Sequence, residues 1–136
     1  MEFISKSSDE TMTFAARIAE ACKGNEIILL DGELGAGKTT FTKGFAKALG
    51  IEQNVTSPTF TLMKTYSEGR LTLYHFDLYR AESEDDVEEL GFRDYFEAGG
   101  VCIIEWNKFT DFPRKPIKIN FDYCGDSARK IVTEGL

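Results

Sequence analysis

Two stretches of the chain are apolar without interruption: Ile27-Ile28-Leu29-Leu30, at the heart of residues 26–31, and residues 101–104, Val101-Cys102-Ile103-Ile104. Such runs are expected of parallel strands buried on both faces. Elsewhere the pattern is periodic. Phe14, Ile18 and Cys22 recur every four residues behind the cluster Ser7-Ser8-Asp9, which predicts a helix over 9–23 with Gly24 at its end. Phe41, Phe45 and Leu49 repeat at the same spacing, with Lys43 and Lys47 between them and Gly50 after them, and predict a second helix. Residues 61–66 and 70–77 flank the turn Ser67-Glu68-Gly69 and read as a β-hairpin. On its second strand Leu71, Leu73, His75 and Asp77 share one face, and Thr72, Tyr74 and Phe76 share the other.

The remaining elements are shorter. Residues 1–5 read as extended. Residues 81–90 read as a helix capped by Ser83, with carboxylates in its first turn where the helix dipole favours them. A short helix is expected over 93–97, broken by Gly99-Gly100. Ile117, Ile119, Phe121 and Tyr123 alternate with polar residues as in a half-exposed strand, and residues 129–133 are expected to return beside it. The alternation of strands and helices predicts an α/β fold: a mainly parallel central sheet flanked by helices, with antiparallel strands added on one side.

Composition narrows this little but usefully. A chain of 136 residues, 42% hydrophobic and 29% charged, is expected to form one domain over 1–136 of an ordinary water-soluble kind. Its formal net charge of −7 argues against tight binding to RNA or DNA by the chain alone, which calls for a basic footprint. An acidic protein can still join a complex in which another subunit carries the basic surface. The three cysteines show no C-x-x-C spacing, and a single histidine leaves little for a zinc site. No apolar run reaches the roughly 18 residues of a membrane span and no signal-peptide h-region is present, so a cytoplasmic protein is expected.

The segment between the first apolar run and the second helix changes the picture most. Gly32-Glu33-Leu34-Gly35-Ala36-Gly37-Lys38-Thr39-Thr40 has the G-x-x-x-x-G-K-[ST] spacing of a phosphate-binding loop. Its glycines let the backbone crowd a phosphate chain, so that successive N–H groups and the following helix N-terminus face one concavity. Lys38 is placed to reach the β- and γ-phosphates, and the Thr39 hydroxyl to bind Mg²⁺. The expected ligand is a nucleoside triphosphate.

In open α/β sheets ligands lie beyond the carboxyl ends of the strands. Two carboxylates stand there: Asp77 closes 70–77 and Glu105 follows 101–104. Mg²⁺ needs a hydroxyl and one or two carboxylates, and a hydrolytic water needs an acceptor to orient it; Asp77 and Glu105 could divide those two tasks. Thr56-Ser57-Pro58-Thr59-Phe60 lies where small phosphate-loop proteins keep a segment that senses the γ-phosphate. Trp106 and His75 read as packing residues, and Arg80 as an exposed arginine. A GTPase would carry D-x-x-G where Asp77-Leu78-Tyr79-Arg80 has arginine, and N-K-x-D is only approximated by Asn107-Lys108-Phe109-Thr110. ATP is therefore the expected nucleotide. No arginine cluster suggests the lid of a small-molecule kinase. A kinase, or a binding module that switches partners without useful hydrolysis, stays as an alternative to an ATPase.

Four blocks taken together resemble the TsaE (YjeE) family: the phosphate loop 32–40, Thr56-Ser57-Pro58-Thr59-Phe60, Tyr74-His75-Phe76-Asp77-Leu78-Tyr79-Arg80, and Ile104-Glu105-Trp106. They occur in order and at family spacing across nearly the whole chain. The resemblance implies a small bacterial ATPase of weak intrinsic activity with ATP and Mg²⁺ as cofactors. It is one required for the threonylcarbamoyladenosine modification of adenosine 37 in tRNAs reading ANN codons. It implies TsaD and TsaB as partners, with hydrolysis supporting turnover of their complex. By motif, Gly35, Ala36, Gly37 and Lys38 would bind phosphates, Thr39 and Glu105 would bind Mg²⁺, and Thr40 would face the α-phosphate. Asp77 would serve hydrolysis, Ser57 to Phe60, Thr59 included, would act as a switch, and Trp106 would lie near the nucleotide.

Overall fold

The computed structural model describes residues 1–136 apart from 34–36, 59–60 and 126–127. Seven strands form one sheet. In chain order the elements are β1 (Glu2–Ser5), α1 (Ser8–Ala21), β2 (Ile27–Gly32), α2 (Lys38–Ala48), β3 (Met63–Tyr66), β4 (Leu73–Asp77), α3 (Glu84–Glu89), a 3-10 helix (Phe92–Glu97), β5 (Val101–Glu105), β6 (Ile117–Tyr123) and β7 (Arg129–Glu134). Their order across the sheet is β1-β7-β6-β2-β5-β4-β3.

The centre is parallel. β2 pairs with β5 on one side and β6 on the other, and β4 pairs with β5. The antiparallel strands stand at both edges rather than at one: β3 folds back on β4, while β7 and then β1 extend the sheet beyond β6. Each hairpin is visible in the sequence, but local turns carry no information about which flank of the parallel core a hairpin joins.

Alternation along the uninterrupted runs separates two cores. Ile28, Leu30, Val101 and Ile103 pack against α1 and α2 on one face, together with Phe14, Phe41 and Phe45. Ile27, Leu29, Cys102 and Ile104 face Phe76, Val87, Phe92 and Phe96 on the other. The result is three layers, with helices on both faces of a buried parallel sheet.

Helix ends show where local signals held and where a distant residue replaced them. Ser7 caps α1, its Oγ accepting from the Glu10 N–H at 3.1 Å. Gly50 closes α2 in a Schellman motif: Gly50 N–H bonds Lys47 O and Ile51 N–H bonds Ala46 O, each at 3.0 Å. At the end of α1 the expected glycine cap is not used. Cys22 is the C-cap, and the Arg70 guanidinium donates to the carbonyls of Ala19 and Cys22 at 2.8 and 3.0 Å. Gly24, at φ +125°, serves a close approach instead, because a Cβ there would stand 2.8 Å from Gly99 O. Arg70 thus leaves the expected strand 70–77 to cap a helix, and β4 begins at Leu73.

Candidate functional site

All four parallel strands end at one edge of the sheet. There Asp77 of β4 lies in register with Glu105 of β5, and Glu105 with Leu30 of β2. Two residues past Leu30 the chain enters the glycine-rich loop. Of that loop, Gly35 and Ala36 lie outside the described residues, as does Thr59. Gly37 has φ +110° and precedes Lys38, the first residue of α2, whose first turn has no side-chain cap. Its open N–H groups and the helix dipole suit an anion.

Lys38 is 5% exposed. Its Nζ donates to Gly32 O at 2.8 Å and sits 4.3 Å from the centre of the Trp106 ring, a cation–π distance. Trp106 reaches that place by a left-handed backbone, φ +56°, directly after β5, and its ring meets Tyr79 edge-on at 5.0 Å. A non-glycine residue in that conformation is uncommon and costs about 1 kcal/mol or more. Here it turns the indole back over the lysine.

Asp77 is held on both oxygens. Oδ1 accepts from the Tyr79 N–H at 3.1 Å, and Oδ2 from the Ser57 hydroxyl at 3.0 Å. Ser57 belongs to the segment expected to act as a switch, so the structure joins that segment directly to the carboxylate at the end of β4. Glu105 is buried. Its Oε2 lies 2.7 Å from Nε2 of His75, 1% exposed on the inner face of β4. When Glu105 is ionised, Nε2 carries the hydrogen and donates it. Among the described residues Nδ1 of the same ring is buried without a partner. His75 is thus more than the packing residue its position suggests: it holds a carboxylate of the neighbouring strand β5.

One cavity of about 300 Å³ is lined by Gly37, Lys38, Thr39, Thr40, Ser57, Asp77, Glu105 and Trp106. Every expected site residue that the structure describes therefore reaches a single concavity. Ser7, Ser8, Thr11 and Arg129 line it as well. None of these four belongs to a quoted motif. Ser7 and Ser8 signal only a helix cap, and Arg129 reaches the cavity because the β6–β7 hairpin joins β2 on the side away from β5, a placement that local sequence does not encode.

The set fits a magnesium-bound triphosphate. Lys38 and the first turn of α2, Thr39 included, share the concavity with two carboxylates. Among the described residues no group of three histidine, cysteine, aspartate or glutamate side chains comes together. A divalent ion here would draw one or two protein oxygens and take the rest from phosphate and water, as Mg²⁺ does.

A parallel-centred α/β sheet whose glycine-rich loop joins β2 to α2 defines the phosphate-loop class of nucleotide-binding folds. Comparison with known proteins narrows the class. The family described as "Threonylcarbamoyl adenosine biosynthesis protein TsaE" matches residues 5–131. The chain is 46% identical over 125 residues to the tRNA threonylcarbamoyladenosine biosynthesis protein TsaE of Bacillus subtilis, covering 90% of this chain and 78% of that protein. It is 38% identical over 133 residues to the protein of the same name in Treponema pallidum, covering 96% and 98%. The crystal structure of Bacillus subtilis YdiB superposes with a TM-score of 0.82 at 38% identity, over 96% of this chain and 82% of that one. The chain belongs to the TsaE family.

Proposed function

We propose that this protein is an ATP-binding and ATP-hydrolysing subunit required for N6-threonylcarbamoyladenosine formation at adenosine 37 of tRNAs reading ANN codons, and that it supports turnover of a TsaD–TsaB complex. The pathway comes from the relatives' names. The nucleotide chemistry rests on one observation above the others: a buried lysine, held between a loop carbonyl and an indole ring, opposite a pair of carboxylates in register.

On this reading the loop backbone with Gly35, Ala36 and Gly37, and the Lys38 ammonium, hold the phosphates. Thr40 stands toward the α-phosphate, and Thr39 with Glu105 ligates Mg²⁺. A bound Mg²⁺ would supply neutralising charge to the phosphates. Asp77 orients the attacking water and accepts its proton. The Ser57–Asp77 hydrogen bond makes that acceptor sensitive to the position of the segment carrying Ser57 and Thr59. Trp106 lies beside the phosphates, over Lys38. An acidic chain of net charge −7 suits a complex whose partners supply the basic surface for tRNA. Among the described residues no helix is long and apolar enough to cross a membrane. We place the protein, as a single domain, in the cytoplasm with the tRNA-modifying complex it serves.

The test is reconstitution. Purified TsaD and TsaB are assayed for multiple-turnover tRNA modification with ATP, with and without this protein. Sustained turnover is expected only in its presence, and Lys38→Ala is expected to give the same loss as omission. Equal modification in its absence, or full activity and unaltered ATP binding in Lys38→Ala, would overturn the assignment.

A further inference from the structure

Ser57 donates to Asp77, yet residues 51–58 form no helix or strand, so no strand ladder fixes Ser57 in place. Its neighbour Thr56 is anchored from β3 instead. Lys64 Nζ donates to Thr56 Oγ1 at 2.6 Å, and the Thr56 N–H donates to the Tyr66 hydroxyl at 3.4 Å. Tyr66 is buried in the core beneath α1 and α2, which fixes that hydroxyl. Lys64 and Tyr66 share a face of β3, opposite His75 and Leu73 of β4. On that face a row runs from Ile103 through His75 to Lys64, and the row beyond it pairs Glu105 with Asp77. Lys64 thus stands one strand out from the histidine that holds Glu105. β3 is an edge strand, where a lysine commonly serves only to keep other chains from pairing. Lys64 turns its ammonium back to a hydroxyl of its own chain, and no carboxylate of the described residues forms an ion pair with it.

We infer that Lys64 is a positioning residue for hydrolysis: through Thr56 it holds Ser57, and Ser57 holds Asp77 toward the attacking water. The inference rests on the function proposed above, in which Asp77 orients that water. The two oxygens of Asp77 differ in how they are secured. Oδ1 takes the N–H of Tyr79, two residues along its own chain, whereas Oδ2 depends on Ser57, twenty residues away. Loosening Thr56 therefore frees one oxygen of the carboxylate. It leaves Lys38 and its contacts to Gly32 and Trp106 as they are. A loss of this kind falls on kcat rather than KM, because it touches the water and not the grip on the phosphates.

Steady-state ATP hydrolysis by the full chain, in Mg²⁺ and with TsaD and TsaB present, tests this. Lys64→Met keeps the stem and removes the donor; it is expected to lower kcat about fivefold and to move KM for ATP by less than about twofold. An unchanged KM also reports an intact fold. Lys64→Arg restores a donor and is expected to recover most of the loss, and Thr56→Val is expected to match Lys64→Met. In a Ser57→Ala background, itself slower, Lys64→Met is expected to add nothing, because residues that act through one another are not additive. Normal kcat in Lys64→Met or Thr56→Val, a loss confined to KM, no recovery in Lys64→Arg, or a full further loss in the Ser57→Ala background would each overturn the positioning role. A wild-type chain that binds ATP without hydrolysing it would overturn the hydrolytic reading itself.

Discussion

At the scale of single residues, the least expected contact is the one beneath Glu105. A carboxylate only 6% exposed needs donors, and His75 Nε2 at 2.7 Å is the donor the structure supplies. Removing it leaves a buried acceptor short of a partner, at a cost of about 1–3 kcal/mol. His75 is therefore a positioning residue for Glu105. Glu105→Gln is expected to keep ATP binding and lose hydrolysis by a factor of about 10² or more. His75→Ala is expected to lower kcat with little change in KM, and His75→Gln, which retains an N–H near the same place, to recover part of it. A His75→Gln enzyme no faster than His75→Ala, or a His75→Ala enzyme with normal kcat, would refute the positioning role. Lys38, Thr39, Asp77 and Glu105 are legible from spacing because each must sit at a fixed offset from a strand end. His75 is not, since it acts across a strand pair 30 residues apart in sequence. No local pattern distinguishes a core histidine from one that holds a carboxylate.

At the scale of elements, helix periodicity and cap chemistry located α1 and α2 to within about two residues, because both signals are local. The contact between those helices was not legible. α2 carries Gly44 in its interior, where glycine costs about 1 kcal/mol relative to alanine. The reason lies in the partner helix: a Cβ at Gly44 would stand 2.6 Å from Met12 Cα and 2.8 Å from Met12 O. Backbone atoms cannot swing aside as a side-chain tip can. Gly44→Ala therefore sets a propensity gain of about 1 kcal/mol against overpacking of about 1–3 kcal/mol, and net destabilisation is expected. Urea denaturation followed by far-UV circular dichroism checks the sign; a stabilised variant would show that the helices can move apart freely.

At the scale of the whole molecule, the three-layer arrangement sorts the three cysteines. Cys22 and Cys102 are buried, and burial pushes both thiols up to about 12, while Cys124 is exposed. At pH 8 a thiol reagent is expected to label Cys124 alone in the native protein and all three cysteines after denaturation; rapid native labelling of Cys102 would contradict a closed β5. The same shift gives a sign for stability. Unfolded thiols ionise near 9 while the folded ones stay protonated, so the folded chain binds more protons between about 9 and 12 and its stability falls as pH rises through that window. The flanks of the sheet were less legible than its centre: continuous apolar runs identify strands buried on both sides, but edge order depends on contacts such as β1 with β7 that join opposite ends of the chain. Finally, the lysine at the heart of the site is never an idle charge. Its ammonium already donates to Gly32 O and shares its charge with the Trp106 ring, so on the proposed function a phosphate would compete for Lys38 with contacts the protein already makes. The ATP affinity would then be a difference between two occupied states rather than a gain from nothing. Trp106 leads straight into the loop after β5, so a shift at Lys38 would also be an event in that loop.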